Sequence, residues 1–379
     1  MITNSFSAEY GLKMGSQMVI VSKSGTNNFH GSLFEYLRNR ALDARNFFDR
    51  KTATNPRRLP PFTKNNFGGS LGGPIKRDRT FFHVVYETNR ERLGLSLVAN
   101  VIPPSAKVDG GLVPQIDPRI KPLLTLFPDP NLPDDQFTFP FSQPTNEHFG
   151  QTRMDHTFSS ADTMFGRYTI TDTEQTIPRN PYPGFPQLGT SRSQFATVSE
   201  THIFSPALLN TFQFSYSLTG RGAFSPSGIS GPQFSFMPGE EIGNISIGGV
   251  SGYGPNTSTP SVKSQRVFSW SDDVFYTRGR HSLKFGGLIN HYRTVDSNAT
   301  AARGELTFPN LTSFLLAQPS RYRALTPGSH LSRRYRYNIL GFYFQDDLRV
   351  TPRFSLNLGL RYEFHTEFQE ADGFRHGLA

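Results

Sequence analysis

The stretch Arg353-Phe354-Ser355-Leu356-Asn357-Leu358-Gly359-Leu360-Arg361-Tyr362-Glu363-Phe364-His365 alternates strictly between apolar and polar residues. Successive side chains of an extended strand point to opposite faces. Phe354, Leu356, Leu358, Leu360, Tyr362 and Phe364 therefore share one face, and Ser355, Asn357, Gly359, Arg361 and Glu363 the other. A second stretch reads the same way, with Leu208, Phe212, Phe214, Tyr216 and Leu218 opposing Thr211, Gln213, Ser215 and Ser217. Each segment has a greasy side and a wet side.

Working outward, β-prone alternating segments recur near 29–37, 64–73, 80–90, 148–158, 162–172, 194–203, 208–218, 263–276, 281–292, 335–348 and 353–365. Most match the length a tilted strand needs to cross a bilayer. The segment 263–276 resists a clean division, because Asp272 falls on the face of Phe268, Trp270 and Val274. Alternation alone also fits a soluble sandwich, and the connections separate the two. Short links at Pro74–Arg79, Ser159–Ala161, Ser205–Ala207, Thr277–Arg280 and Arg349–Pro352 take turns with long ones near 38–63, 91–147, 173–193, 219–262 and 293–334. Long unstructured loops are uncommon in compact soluble domains, whereas membrane barrels have short turns at one end and long loops at the other. The fold class read from the sequence is an all-β, antiparallel transmembrane barrel wall of about eleven strands.

Composition agrees. Hydrophobic residues make up 36% of the 379, yet aromatics reach 13%, with 35 Phe and 14 Tyr. Few aliphatics and many rings suit a single-layer sheet with aromatic borders, here near Phe81-Phe82, Tyr276, Tyr292, Tyr335 and Phe364. The chain has no cysteine, which excludes disulfides and Cys-ligated metals. The net charge of +9 comes from scattered basic residues rather than a dense run, so no nucleic-acid partner is expected. Arg side chains could instead pair with lipopolysaccharide phosphates. The proline-dense part of 91–147 reads as an extended excursion, and the Gly/Ser/Pro-rich 219–262 as an irregular or mobile loop.

Catalytic constellations are missing: no Walker loop or His-Glu-x-x-His helix occurs, so no enzyme activity and no cofactor are expected. Gly68-Gly69-Ser70-Leu71-Gly72-Gly73 is followed directly by Pro74, unlike a phosphate cradle, and its glycines read as relief where the strand curves or another segment approaches. No metal site is expected. His148 and His156 share a face but lie too far apart, as do His281 and His291, while Asp346 and Asp347 alternate faces. Asp129, Asp134 and Asp135 could hold Ca²⁺, although a solvated acidic loop explains them as well.

The opening Ser7-Ala8-Glu9-Tyr10-Gly11, then Gly15-Ser16-Gln17-Met18-Val19-Ile20-Val21-Ser22-Lys23-Ser24-Gly25-Thr26-Asn27, then Phe29-His30-Gly31-Ser32, resembles the plug-to-barrel junction of TonB-dependent receptors, the Oar-like subfamily above all. Ser16 stands where that family often has a second glycine. Further similar pieces follow in the family's order: Leu37–Asp49, Asn65–Ile75 with Thr80-Phe81-Phe82, Thr277–Gly287, and Phe344–Arg353 with Leu356–Glu363. The resemblance implies a barrel of 22 strands, of which about eleven are expected here, around an internal plug. It also implies energy supplied by TonB, ExbB and ExbD through a segment expected upstream, since Met1–Phe6 has no signal-peptide character. Residues 1–28 are then the end of the plug and 29–379 the first half of the barrel. Gly15, Lys23, Gly25, Thr26, His30 and Gly31 fall at the junction. Asn357, Arg361 and Glu363 are expected to face the lumen, and Leu356, Leu358 and Leu360 the lipid. Leu358→Arg should then block assembly and Asn357→Arg be tolerated, because an arginine facing mid-bilayer lipid costs about 2–4 kcal/mol. The implied location is the outer membrane, in contact with its lipid and lipopolysaccharide, and the implied role is transport of a ligand whose class is open. A barrel that only binds or adheres, and a soluble secreted β-rich protein, are the rival readings.

Overall fold

A computed structural model of the protein describes residues 7–11, 21–43, 61–326 and 328–374. Its strands are β1 (His30–Asn39), β2 (Phe62–Lys76), β3 (Thr80–Asn100), β4 (Gln136–Ser159), β5 (Asp162–Pro178), β6 (Pro186–Ser205), β7 (Leu208–Phe224), β8 (Asn244–Ile247), β9 (Val250–Tyr253), β10 (Ser261–Arg278), β11 (His281–Asn298), β12 (Glu305–Phe308), β13 (Arg321–Arg323), β14 (Ser332–Thr351), β15 (Phe354–His365) and β16 (Gln369–Glu370). Two short helices, α1 (Lys121–Leu124) and α2 (Leu311–Leu315), lie between them. Each of the eleven expected segments is a strand of one antiparallel sheet, in the order β1-β2-β3-β4-β5-β6-β7-β10-β11-β14-β15, and β16 adds a short pairing to β14. Among the described residues, β1 pairs only with β2, and β15 only with β14.

Partners directly opposite in an antiparallel sheet share a face, so the register carries one face across the wall. Arg153 on β4 faces Arg167, which faces Thr197, then Ser215, Ser269, Asn290 and Ile339. The N-terminal segment lies on this face, which we term inner. The apolar residues of β15 and β7 lie on the outer one, where Leu358 and Leu360 are 55% and 74% exposed. No described helix is long and apolar enough to span a membrane.

The register also sorts the expected aromatic border. Phe82, Tyr276 and Phe364 point outward, but Phe81, Tyr292 and Tyr335 point inward. Tyr292 stacks on Tyr337 across the inner face, with ring centres 4.5 Å apart. Proximity to a strand end does not determine the face; parity does.

Several strands run well past the expected bounds. β3 has 21 residues and β4 has 24, against the roughly 9–11 a bilayer needs. Pro140 and Pro144 sit inside β4, where the sequence reading had placed a loop. They are tolerated because, among the described residues, β4 from Phe137 to Pro144 pairs with β3 alone, so one edge is open and a missing N–H is harmless there.

The remaining connections are not loose. Residues 101–135, 179–185, 225–260 and 299–326 fold together into a cap opposite the short turns, correcting the expectation of an extended excursion and an irregular loop. Ile102, Ile116, Phe127, Tyr182, Ile242, Ile245, Phe308 and Phe314 are buried together. A small sheet in the order β13-β12-β8-β9 lies within the cap, with β12 and β8 parallel. Phe127 contacts Tyr253 at 4.6 Å and Phe314 at 5.9 Å between ring centres. The Tyr182 hydroxyl donates to the carbonyls of Asn100 and Ser251, both at 3.2 Å, tying the cap to the end of β3. Asn310 caps α2 by accepting from the Ser313 N–H at 2.9 Å. At Gly254, with φ +126°, an added Cβ would lie 2.4 Å from the Gly243 carbonyl, so glycine is required. The buried core of this molecule sits in the cap, because a one-layer wall has none of its own.

Candidate functional site

The inner face holds the N-terminal segment at two places. At the first, residues 21–28 lie against β2, β3 and β4. Arg153 extends from the inner face of β4 and donates to Ser22 through Nη1, to Oγ at 2.8 Å and to the carbonyl at 3.1 Å. Asp155, two residues along on the same face, pairs with Arg153 at 2.6 Å and accepts from Ser24 Oγ at 2.7 Å. The Arg153 guanidinium also lies 4.4 Å from the Phe165 ring centre, which holds it flat against the wall. Asn27 and Asp78 exchange two hydrogen bonds at the β2–β3 turn: Asn27 Nδ2 to Asp78 Oδ1 at 2.7 Å, and the Asp78 N–H to Asn27 Oδ1 at 2.8 Å.

Among the expected junction residues, Gly25 has a clear physical reason. An added Cβ would lie 2.4 Å from the Phe82 carbonyl and 2.8 Å from that of Gly73, so any larger residue would push the segment off the wall. Gly31 is as tight, 2.8 Å from the Ser70 carbonyl. Thr26 Oγ1 donates to the Asn28 carbonyl at 2.9 Å and shapes the bend into β1. Lys23 and His30 line a cavity of about 280 Å³ with Ser32, Ser70, Gly72 and His83. Gly15 lies outside the described residues. The glycines of β2 do relieve crowding: a Cβ at Gly73 would meet the Phe29 ring at 2.3 Å, and one at Gly69 would meet Leu33 at 2.6 Å.

At the second place, Ser7–Gly11 lies on β11, β14 and β15. Gln345 accepts from Ser7 Oγ at 2.7 Å and from the Ala8 N–H at 2.8 Å. Arg361 Nη1 donates to the Ala8 and Glu9 carbonyls at 3.1 and 2.9 Å, while its Nε pairs with Glu363 at 2.5 Å. Glu9 also reaches Lys284 at 3.4 Å. Arg361 and Glu363 thus meet the segment, whereas Asn357, on the same face, donates to Asp347 at 2.5 Å near the turn. Leu356 lies with Leu358 and Leu360 on the opposite, outer face. One stretch of chain therefore touches the second to fourth strands of the wall and, through its earlier residues, the last ones.

The outer rim near the short turns carries polar pairs. Thr80 bonds to His156 at 2.9 Å, Asn210 donates to Asp272 at 2.5 Å, and His281 meets Asp346 at 2.7 Å. The awkward Asp272 thus points outward beside a polar partner from β7. Asp162, Glu200 and His202 form a further rim group, with ligand atoms all within 4.8 Å of one another. Sequence reading missed it because the three come from two strands, and only the register puts Asp162 opposite His202. In the cap, Asp129 is held by Lys107 at 2.7 Å, and Asp129, Asp134 and Asp135 do not gather as a metal-binding group.

Over residues 21–375 the chain matches the outer membrane beta barrel domain family. The protein belongs to that family. This barrel protein therefore sits in the outer membrane, with its eleven-strand sheet as the spanning wall. Its fold resembles the outer membrane transporter YddB from Escherichia coli, with a TM-score of 0.55 at 9% identity, over 91% of this chain and 40% of that one. Other similar structures are the closed form of the ferric-catecholate import receptor Fiu from E. coli K12 and the siderophore receptor PirA from Acinetobacter baumannii. Fiu matches at TM-score 0.49 and 12% identity, over 94% of this chain and 44% of its own. PirA matches at 0.49 and 10%, over 92% and 41%. The chain thus spans about two fifths of the length of these structures. No curated protein sequence matches it.

Proposed function

We propose that this barrel wall belongs to an outer-membrane transporter whose passage is gated by its own N-terminal segment. The observation that carries the reading is the double docking of that segment on the inner face, through Arg153 and Asp155 at one end and Gln345 and Arg361 at the other. A segment held by charge-assisted and side-chain hydrogen bonds, rather than by a packed apolar core, can be released without unfolding the wall. That favours gated passage over a barrel that only adheres.

In this reading Lys23, Gly25, Thr26, His30 and Gly31 form the hinge from plug to wall. Asn357, Arg361 and Glu363 line the lumen, while Leu356, Leu358 and Leu360 meet lipid. The resemblance to TonB-dependent receptors supplies the rest: a 22-strand barrel, a fuller plug over residues 1–28 and upstream, and energy from TonB, ExbB and ExbD. The cap would be the outer vestibule where a ligand is first met.

Gating is tested by conductance in planar bilayers. Arg153→Ala combined with Arg361→Ala should raise passive conductance to small solutes, and an unchanged conductance would refute the gate. Energy coupling is tested by uptake of a panel of ferric siderophores, glycans and peptides. Accumulation that persists after a protonophore collapses the proton gradient would exclude TonB as the source.

A further inference from the structure

We propose that Asp162, Glu200 and His202 form a transition-metal site of one nitrogen and two oxygens, suited to Zn²⁺, on the outer rim between β5 and β6. Asp162 opens β5 directly after the short turn, and lies opposite His202, with Glu200 two residues away on the same face. Their ligand atoms fall within 4.8 Å of one another, and His202 Nδ1 is 4.0 Å from Glu200 Oε1.

Other carboxylates near the short turns each have a protein partner: Asp272 has Asn210, Asp155 has Arg153, and Asp78 has Asn27. Asp346 holds His281 through Oδ2, although its Oδ1 is buried without a hydrogen-bond partner among the described residues. At Asp162, Oδ1 is buried without a hydrogen-bond partner among the described residues. Two carboxylates held this close repel each other, and a desolvated carboxylate oxygen needs a counter-charge. A divalent cation answers both needs.

The donor set selects the ion. Ca²⁺ and Mg²⁺ take oxygen ligands, whereas imidazole with carboxylates suits Zn²⁺. At bond lengths near 2.0–2.2 Å, tetrahedral ligand atoms sit about 3.3 Å apart. The present spacing therefore closes on the ion by side-chain rotation of about an ångström, without moving the strands. The His202 ring packs against Phe204 with centres 4.5 Å apart, which limits its rotation. The fourth position would hold water, since the neighbouring turns bring the site to the membrane edge. The bound ion would pin the ends of β5 and β6 together.

The full chain in detergent micelles should bind one equivalent of Zn²⁺ by isothermal titration, retained against excess Ca²⁺. Co²⁺ in its place should give the visible absorption of a tetrahedral site. His202→Ala should weaken Zn²⁺ at least about 10-fold, and the nearly isosteric Glu200→Gln should do so while keeping the far-ultraviolet β signal. His156→Ala and His281→Ala, histidines of the same rim, should bind as the wild type does. Saturable binding that survives Glu200→Gln, or none up to millimolar Zn²⁺ in the folded wild type, would overturn the site.

Discussion

Leu358 and Leu360 share the outward face of β15, yet they are not equivalent. Leu358 lies directly opposite Asp346, near the short turn, whereas Leu360 lies opposite Phe344. An arginine at 358 would find a carboxylate beside it, and one at 360 would find a ring and lipid. Leu360→Arg should therefore impair assembly the more severely, by up to about 2–4 kcal/mol, with Leu358→Arg milder than its alternation alone suggests. Asn357→Arg, next to Asp347 on the inner face, should be tolerated. Heat-modifiable migration of folded protein on gels measures all three, and equal damage at 357 and 360 would refute the faces. Arg361 makes a different prediction. Removing it breaks two charge-assisted bonds to Ala8 and Glu9, worth roughly 1.5–3 kcal/mol each. Arg361→Ala should speed hydrogen exchange at Ala8–Gly11, and Arg361→Lys should not restore protection, because a point charge lacks the fork that reaches both carbonyls. Unchanged exchange would mean that Gln345 and Lys284 hold the segment without Arg361.

At the scale of elements, the cap behaves as a unit with its own core. Phe314 is fully buried against Phe127 and Phe308, so Phe314→Ala should cost about 3–5 kcal/mol and open the cap while the wall persists. Proteolysis confined to 101–135 and 299–326 would show this; simultaneous loss of the wall would contradict it. Burial also pushes the Tyr253 phenol up to about 12. The folded cap therefore holds that proton more tightly than the unfolded one does. The stability linked to it is intact below about pH 10 and is lost as pH climbs through 12. Absorbance at 295 nm should show Tyr253 titrating later than exposed tyrosines, and a common midpoint would show the cap to be open. These elements mark what could be read in advance. The wall was legible because alternation is local: Phe354 to Phe364 declare their face without reference to any other strand. The cap was not, because Ile102, Tyr182, Ile242 and Phe314 come from four connections and no periodicity links them. Gly25 and Lys23 were singled out through resemblance. Arg153, Gln345 and Asp162 were not, because their partners lie on other strands or on the distant N-terminal segment.

For the whole molecule, the decisive feature is a single-layer wall with an apolar exterior. Leu33, Leu71, Val198, Phe212, Phe344 and Leu360 are exposed to the surroundings rather than to a second layer. Extracted without detergent, the chain should aggregate; recovery as a compact monomer in buffer would refute the membrane assignment. Among the described residues the two outermost strands, β1 and β15, each pair along one edge, and hydrocarbon does not satisfy the backbone donors and acceptors of the other. Cysteines introduced on β1 and β15 should therefore report close approach of a paired strand to that edge in the membrane-inserted state. The cap, for its part, has a consequence for anything that recognises this protein from outside the wall. Its exterior is assembled from four stretches of chain that acquire their shape only in one another's company. Antibodies raised against a peptide copied from 101–135 should bind the denatured chain well and the native one poorly, and a useful immunogen would have to carry the intact assembly.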